Sequence, residues 1–488
     1  MHKRWLRCVA FAVTLALVLW FRFFVVRTWH APAGDGVDFF QLSQSLQLTG
    51  RFAYGPPPLG PSYGRLPGYP LFLAYVAVRQ APLDLLSHVQ RATQANLPIS
   101  LATALLLFLT LRELGFGRRS AAIGLLLTLL YPLLVLLSCY ALTETLATFL
   151  GLLAFYAALR LRRALAIGQG VASWGIWALS GGLATGLGQL VRADTLTLIP
   201  SLAVLICAPL AGESAAVAKQ SFRVLARRGL PLLLLFAVAG LVFLPWPLRN
   251  LRQFGQAHAA AARWRTRPAG NPLPSEPVAW MRTWGDGAAG DGYYDLVFVA
   301  GLKLPLDAAR FPQKTCDGQA QCDRTRVLFQ RYNQEGLSAT VRQEFAALAS
   351  ERAAAAPLRT WIGLPLLRIV SLWRPLPEWE LPLRAPALGL PRHRYVFAVA
   401  DLVLYGLALI GAGRLLWAGR ARTLPDAATT LAALALPAIL RSAMYAYLIP
   451  AGINQRYLVE IVPFLIILSC FGVRLIVERA RRSTERIA

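Results

Sequence analysis

Acidic residues are scarce in this sequence: 24 Asp and Glu stand against 50 Lys and Arg, leaving a formal net charge of +26 over 488 residues. Such an excess can mark a nucleic-acid binder, but here the basic residues lie between hydrophobic runs rather than along one solvated face or tail. Nucleic acid is therefore not expected as a partner. Cysteine is also sparse, at six residues, and Cys8, Cys139, Cys207 and Cys470 fall within or beside apolar runs, where a thiol acts as a small hydrophobe. Cys316 and Cys322 differ, because they bracket the polar loop CDGQAQC. They are a disulfide candidate if that loop faces an oxidising compartment, and otherwise two free thiols. Their spacing does not suit a zinc knuckle, and no His cluster accompanies them. The chain has no HExxH, GxSxG or Walker signature, and GPPPLGPSYG lacks the ending of a phosphate-binding loop. No internal repeat is visible, which counts against a transporter built from inverted repeats.

What the sequence has in abundance is apolar surface. Its hydrophobic share is 56% and its mean hydropathy +0.49, too apolar for an ordinary soluble domain. The expected class is an all-α polytopic membrane protein. The basic start HKRWLR precedes an apolar run from Cys8 to Val26, which ends in Arg27, Trp29 and His30 without a small-residue cleavage site. It reads as an uncleaved transmembrane helix. Further runs centre near 93–111, 120–138, 141–159, 172–190, 194–211, 230–247, 396–417, 426–447 and 457–475, each near the roughly 20 residues a helical span requires. About ten spans result. With the N-terminus inside, Arg112, Arg118 and Arg119, then Arg160, Arg162 and Arg163, then Lys219, Arg223, Arg227 and Arg228 all fall in the cytoplasm, as do Arg414, Arg420, Arg422 and the basic tail. That is the positive-inside pattern from end to end.

Two long segments remain on the outer side, 27–92 and 248–395. Loops of such length are usually functional. We expect an N-terminal transmembrane module over 1–247 carrying the first outer loop, a small extracytoplasmic α or α/β domain over 248–395, and C-terminal helices with a basic tail over 396–488. Within the middle segment, 271–312 is rich in Gly, Pro, Trp and Asp, and 324–356 has helical composition and apolar spacing. The stretch 357–373, PLRTWIGLPLLRIVSLW, is amphipathic, short and interrupted by Arg359 and Arg368, so it reads as a helix lying along the membrane interface.

The first outer loop carries the best candidates for chemistry. Asp35 and Asp38 stand close together just after the first span, where a carboxylate could deprotonate an acceptor brought in at the membrane surface. The alternative is a helix cap with a first-turn acid, since FFQLSQSLQL looks helical. Glu144 opens the fourth span, and a carboxylate at a span's edge is either a solvated cap or a functional group. Arg65, Arg192, Arg249 and Arg456 lie at outer helix ends and could hold a phosphate, or only reach headgroups. Tyr69 and Tyr457 could contact sugar or phosphate, or belong to an aromatic belt.

An aspartate after the first helix, then FQLSQSL, Gly50 and Phe52, then RLPGYPLFLA, followed far downstream by LPWPLRNLRQFG (244–255) and INQRYLVEIVPFLIILS (453–469), closely resembles the GT-C superfamily of membrane glycosyltransferases. Within it, the chain looks like the branch of dolichyl-phosphate-mannose protein mannosyltransferases and lipid A aminoarabinose transferases. The resemblance implies a polyprenyl-phosphate-linked sugar donor and inversion at the anomeric carbon. It implies Asp35 as general base with Asp38 in reserve, Arg65 and Arg456 on the donor phosphate, and Glu144 against sugar, acceptor or metal. The family's paired adjacent acids appear here as GDGVD, a departure that leaves the acid's role open and disfavours a protein acceptor. A divalent metal ion is left open as a cofactor, with no ligand set assigned. Lipid A, a cell-surface glycan or a protein would be the acceptor. Arg-for-Lys and Ala/Leu-rich usage suggests a GC-rich bacterium, and hence its inner or plasma membrane. The competing readings are a transporter or flippase for a lipid-linked sugar, and a glycan polymerase or ligase of similar topology. The candidate acids cluster at one membrane surface, which favours an enzyme.

Overall fold

The computed structural model describes residues 2–28, 34–54, 60–61, 65–79, 84–208, 221–255, 275–287, 305–374, 394–420, 426–450 and 455–487. Trp29, His30, Lys219, Arg422, GPPPLGPSYG apart from Gly60–Pro61, and half of 271–312 lie outside them, as do the side chains of Cys8, Arg223 and Arg227.

Helix α1 (His2–Thr28) is followed by α2 (Gly34–Thr49) and the short α3 (Gly68–Phe72). Between α2 and α3 lies the only strand pairing among the described residues, a two-residue antiparallel ladder of Ala53–Tyr54 with Gly60–Pro61. Helix α4 (Leu85–Glu113) starts where the Asp84 side chain accepts from the Ser87 amide at 2.9 Å, an N-cap that satisfies an otherwise orphaned donor. Helices α5 (Arg118–Leu130) and α6 (Pro132–Ser138) divide one expected span. Tyr131 precedes a proline and is therefore held extended, at φ −62° and ψ 121°, and the two halves bend by 52°. Then come α7 (Glu144–Ala166), α8 (Val171–Val191), α9 (Ile199–Cys207), α10 (Ser221–Phe243) and α11 (Pro245–Phe254). Helices α12 (Ser275–Arg282), α13 (Gln319–Glu335), α14 (Ala339–Ala355) and α15 (Leu364–Trp373) fall in the long middle segment, and α16 (Arg394–Arg420), α17 (Ala427–Leu448) and α18 (Val462–Ile487) close the chain.

The fold is an all-α polytopic membrane protein. Among the described residues, seven helices are long and apolar enough to cross a membrane, or eight if the bent α5–α6 pair is one span. The two other expected spans take different forms. Helix α8 is 21 residues long, but its glycines dilute its apolar character. The stretch after it begins as a 3-10 turn (Ala193–Leu198), leaving α9 only nine residues. Trp20, Leu241, Leu402 and Leu409 point outward from the bundle with no protein covering them, as hydrocarbon-facing side chains must. By contrast α7 and α18 are the most enclosed spans and carry the core, with Phe155 edge-on to Phe464 at 4.9 Å. Close backbone contact tightens it: a Cβ at Gly411 of α16 would lie 1.8 Å from the Leu468 carbonyl oxygen of α18.

Helices α12, α13 and α14 enclose a separate apolar core of Trp280, Met281, Trp284, Phe329, Tyr332 and Phe345. The described part of the middle segment is helical, and Cys316 and Cys322 are joined as a disulfide at the start of α13. It is tied to the bundle by Arg368 of α15, which is buried and donates to the carbonyls of Arg282 (2.6 Å), Gly285 (2.8 Å) and Ala446 (2.9 Å). On α15 and the turn before it, Leu358, Trp361, Leu366 and Val370 are exposed while Arg368 and Leu372 are buried, the two-faced pattern expected for 357–373.

Candidate active site

Each candidate side chain is delivered by a helix end or a helix break. Asp35 and Asp38 are three residues apart in the opening turns of α2, which places them on one face, and the helix N-terminus favours their negative charge. Arg65 comes from the segment before α3. Glu144 is the first residue of α7, and Arg192 is the extended residue at which α8 breaks into the Ala193–Leu198 turn. Arg456 sits in the 3-10 turn Gln455–Ile461 that leads into α18. All five elements meet at one end of the bundle.

Close approach makes the meeting possible. A Cβ on Gly68 would lie 2.7 Å from the Leu190 carbonyl carbon and 2.8 Å from the Val191 amide nitrogen, so RLPGYP can rest on the end of α8 only because that residue has no side chain. Beneath Arg65, Phe39 offers its ring to the guanidinium at 5.5 Å and packs edge-on against Tyr69 at 5.1 Å.

The charges form one connected chain of ion pairs. Arg65 donates Nη2 to Asp35 Oδ1 at 2.7 Å and Nε to Asp38 Oδ2 at 2.9 Å. Arg456 takes the other Asp35 oxygen, Nη2 to Oδ2 at 2.8 Å, and pairs through Nε with Glu144 Oε1. The same Glu144 oxygen accepts from Arg192 Nη1 at 2.9 Å. Arg192 in turn grips Asp194 through Nε and Nη2, at 3.0 and 2.7 Å, and lies 2.6 Å from Glu460 Oε1. Arg441 closes the far end on Glu460 Oε2 at 2.7 Å, and the Tyr445 hydroxyl is bonded to Asp194. Among the described residues five carboxylates thus face four guanidiniums, a formal charge of −1 with all of them ionised.

Accessibility divides this chain in two. The side chains of Asp35, Arg65 and Arg456 keep 22%, 20% and 13% of their surface, whereas Glu144 and Arg192 keep 0% and 1%. The first three are reachable from outside; the other two lie sealed behind them. Burial works to lower the pKa of Arg65, but the charges of Asp35 and Asp38 outweigh it and hold the guanidinium above its ordinary value.

Glu144, read from sequence as either a solvated cap or a functional group, is fully buried between Arg192 and Arg456, and accepts from the Thr143 hydroxyl at 3.3 Å. Tyr69 is fully buried, and the Tyr457 ring packs tilted against Tyr445 at 4.7 Å. Arg249 stands in a separate aromatic box of Phe52, Trp246 and Phe254, at 5.7, 5.0 and 5.4 Å, and donates to the Phe52 carbonyl at 3.1 Å. It is not brought into the ion-pair chain. Asp194, Glu460, Arg441 and Tyr445 belong to the chain and are absent from the candidates chosen on sequence. Their signal was a charge inside an apolar run: Asp194 in LVRADTL, Glu460 in RYLVEIV and Arg441 in the middle of α17. Among the described residues no group of three or more His, Cys, Asp or Glu is arranged to hold a metal ion, and each accessible carboxylate already faces a guanidinium. The donor set does not fit a resident metal.

The family model for dolichyl-phosphate-mannose-protein mannosyltransferase matches residues 74–252. The match includes Glu144, Arg192 and Arg249. No curated protein matches the sequence. Among solved structures, the Archaeoglobus fulgidus oligosaccharyltransferase tethered to an acceptor peptide containing the NVT sequon is 14% identical over 96% of this chain and 50% of that one, with a TM-score of 0.51, a likeness of fold. The Archaeoglobus fulgidus oligosaccharyltransferase AglB in complex with an inhibitory peptide and a dolichol-phosphate is 13% identical, over 99% of this chain and 52% of that one, at 0.49. ArnT from Cupriavidus metallidurans bound to undecaprenyl phosphate is 15% identical, over 94% and 77%, at 0.38. The chain spans about half the length of the oligosaccharyltransferases it matches.

Proposed function

We propose that the chain is a GT-C glycosyltransferase of the protein mannosyltransferase and aminoarabinose transferase branch, and that it moves one sugar from a polyprenyl-phosphate donor to an acceptor at the membrane surface, with inversion. One observation carries this reading. Asp35 is gripped on its two oxygens by two different arginines, Arg65 and Arg456, at the accessible end of an otherwise sealed ion-pair chain. A base and two phosphate ligands are thereby held within a few ångströms of each other, which is what the reaction needs.

In the proposed step, Asp35 accepts the proton of the acceptor hydroxyl or amine as that atom bonds to the anomeric carbon. The bond from that carbon to the phosphate oxygen breaks on the opposite face, and polyprenyl phosphate leaves with the electron pair. Arg65 and Arg456 hold the phosphate more strongly as its charge develops. Asp38 shares Arg65 and is the reserve base. Glu144 acts through Arg456 rather than on the substrate. No step is routed through a metal.

We infer from the alternation of basic segments that the site faces the periplasm of a bacterial inner membrane, with both termini in the cytoplasm. Lipid A, a surface glycan and a protein are the acceptor classes, and the middle segment, 248–395, is proposed to select among them. The alternative readings are a transporter or flippase, which would move a lipid-linked sugar without breaking its bond to phosphate, and a glycan polymerase or ligase of similar topology, which would transfer glycan from a lipid-linked donor. The test is transfer from a panel of labelled polyprenyl-phosphate sugars in membranes. Label should reach an acceptor with the wild type and not with Asp35→Ala at equal expression. Equal transfer by both would sink Asp35 as base, and long polymeric product would favour the polymerase.

A further inference from the structure

Arg456 is held from two directions, and both routes end on one buried carboxylate. Its side chain is fixed by Glu144, which is fixed by Arg192, which lies 2.6 Å from Glu460 Oε1. Its backbone is fixed through the next residue: the Tyr457 carbonyl accepts from Arg441 Nη1 at 3.2 Å, and Arg441 holds Glu460 Oε2 at 2.7 Å. Glu460 lies on the same 3-10 turn as Arg456, so the loop of contacts closes on the element that carries the arginine. Asp194 braces Arg192 from its other side, through two bonds.

We propose that Glu460, assisted by Arg441 and Asp194, is a positioning residue that sets the angle at which Arg456 meets the donor phosphate. It makes no contact with substrate. The inference rests on the reading of Arg456 as a phosphate ligand.

Two physical arguments separate this role from others. A buried ion pair is a poor device for stability alone, since apolar side chains of similar volume commonly serve as well or better; a fixed geometry is what it can supply. Plain electrostatics also predicts the opposite sign to positioning. Glu460 is an anion close to an anion-binding site, so neutralising it should tighten phosphate binding if charge alone matters. If Glu460 positions Arg456, neutralising it lets Arg192 and Arg441 shift, Arg456 follows, and binding weakens.

The experiment measures the Kd of undecaprenyl phosphate for the purified full-length protein in lipid nanodiscs, counting only protein that elutes as a folded monodisperse species. A Kd, unlike a yield, does not change with the folded fraction. Glu460→Gln is expected to bind about 10- to 100-fold more weakly, the scale on which one well-placed hydrogen bond to a charged group contributes to affinity. Glu460→Asp, which keeps the charge on a shorter arm, is expected to bind more tightly than Glu460→Gln. Should Glu460→Gln yield no folded protein, Asp194→Asn is measured in the same way with the same expected sign. Unchanged or tighter binding by the neutral variant overturns the proposal, as does Glu460→Asp binding no better than Glu460→Gln. Failure of the wild type to bind undecaprenyl phosphate overturns the functional reading, and the inference with it.

Discussion

Arg456 meets Asp35 at 2.8 Å across 421 positions of sequence, and with Arg65 on the second oxygen it leaves the proposed base fully engaged by the proposed phosphate ligands. Base and donor therefore compete for the same guanidinium groups. A lipid phosphate bound between the two arginines takes up their hydrogen bonds, most strongly as the monoester dianion that the reaction releases, so binding of polyprenyl phosphate should free Asp35 from them. We expect Asp35 to react faster with a water-soluble carbodiimide and an amine when undecaprenyl phosphate is present, read by peptide mass spectrometry on the full-length protein. Labelling that falls or stays level on adding the lipid would mean that the arginines do not leave the carboxylate.

The two aspartates should separate cleanly in kinetics. Asp35 touches both arginines, whereas the contacts of Asp38 described above run to Arg65. Loss of a positioned general base costs about 10²–10⁴-fold in rate. Asp35→Asn should therefore fall by that order in kcat. Asp38→Asn should raise the donor KM through a loosened Arg65 and leave most of kcat intact. The reverse ranking would move the base to Asp38.

Which residues carry charge at the site was legible in the sequence, and how they pair was only partly so. Asp35 and Arg65 lie within one outer loop, and Arg456 within a motif, so each could be selected alone. Their convergence depends on α2, α7 and α18 packing at one end, which no local pattern encodes. Asp194, Glu460 and Arg441 were passed over because one charge in a window of about 19 residues is averaged away by its apolar neighbours. Tyr131–Pro132 breaks an apolar run without reducing its hydropathy, so the run reads as a straight span although the backbone turns by 52° there. Arg249 shows the converse. Its position at a helix end resembled that of a phosphate ligand, and three aromatic rings occupy its cationic face instead.

Gly68 offers a test of how strictly the Arg65-bearing segment is placed. Any side chain there would press on the backbone at Leu190–Val191, two residues before Arg192. The backbone of α8 cannot move without moving Arg192, so RLPGYP must lift and carry Arg65 with it. Gly68→Ala is expected to lose about 10- to 100-fold in kcat/KM while still inserting and eluting as a folded species. Wild-type turnover would show that Arg65 tolerates the shift and does not act at the chemical step.

The disulfide-bearing segment should respond to acid through Asp317, whose carboxylate pairs with Arg359 and, at 3.2 Å, with Arg352. Asp317, between Cys316 and the start of α13, receives two bonds from Arg359, at 2.6 and 2.7 Å. The Arg359 guanidinium holds the Asp317 carboxyl below its ordinary value, against a smaller opposing effect of burial. A carboxylate whose folded pKa is depressed stabilises the folded state above its unfolded value, near 3.9, and loses that contribution as pH falls through the folded value. Both partners are partly exposed, so the contribution is of the order of 0.5 kcal/mol after solvent screening. Thermal melts followed by the Trp280 and Trp284 signal should therefore fall more steeply below about pH 4 in the wild type than in Asp317→Asn, and the two should differ most at neutral pH. The sign is the informative part. If Asp317→Asn instead melts at the wild-type temperature at pH 7 and falls behind only at pH 3, the ion pairs of Asp317 are not what stabilises this loop.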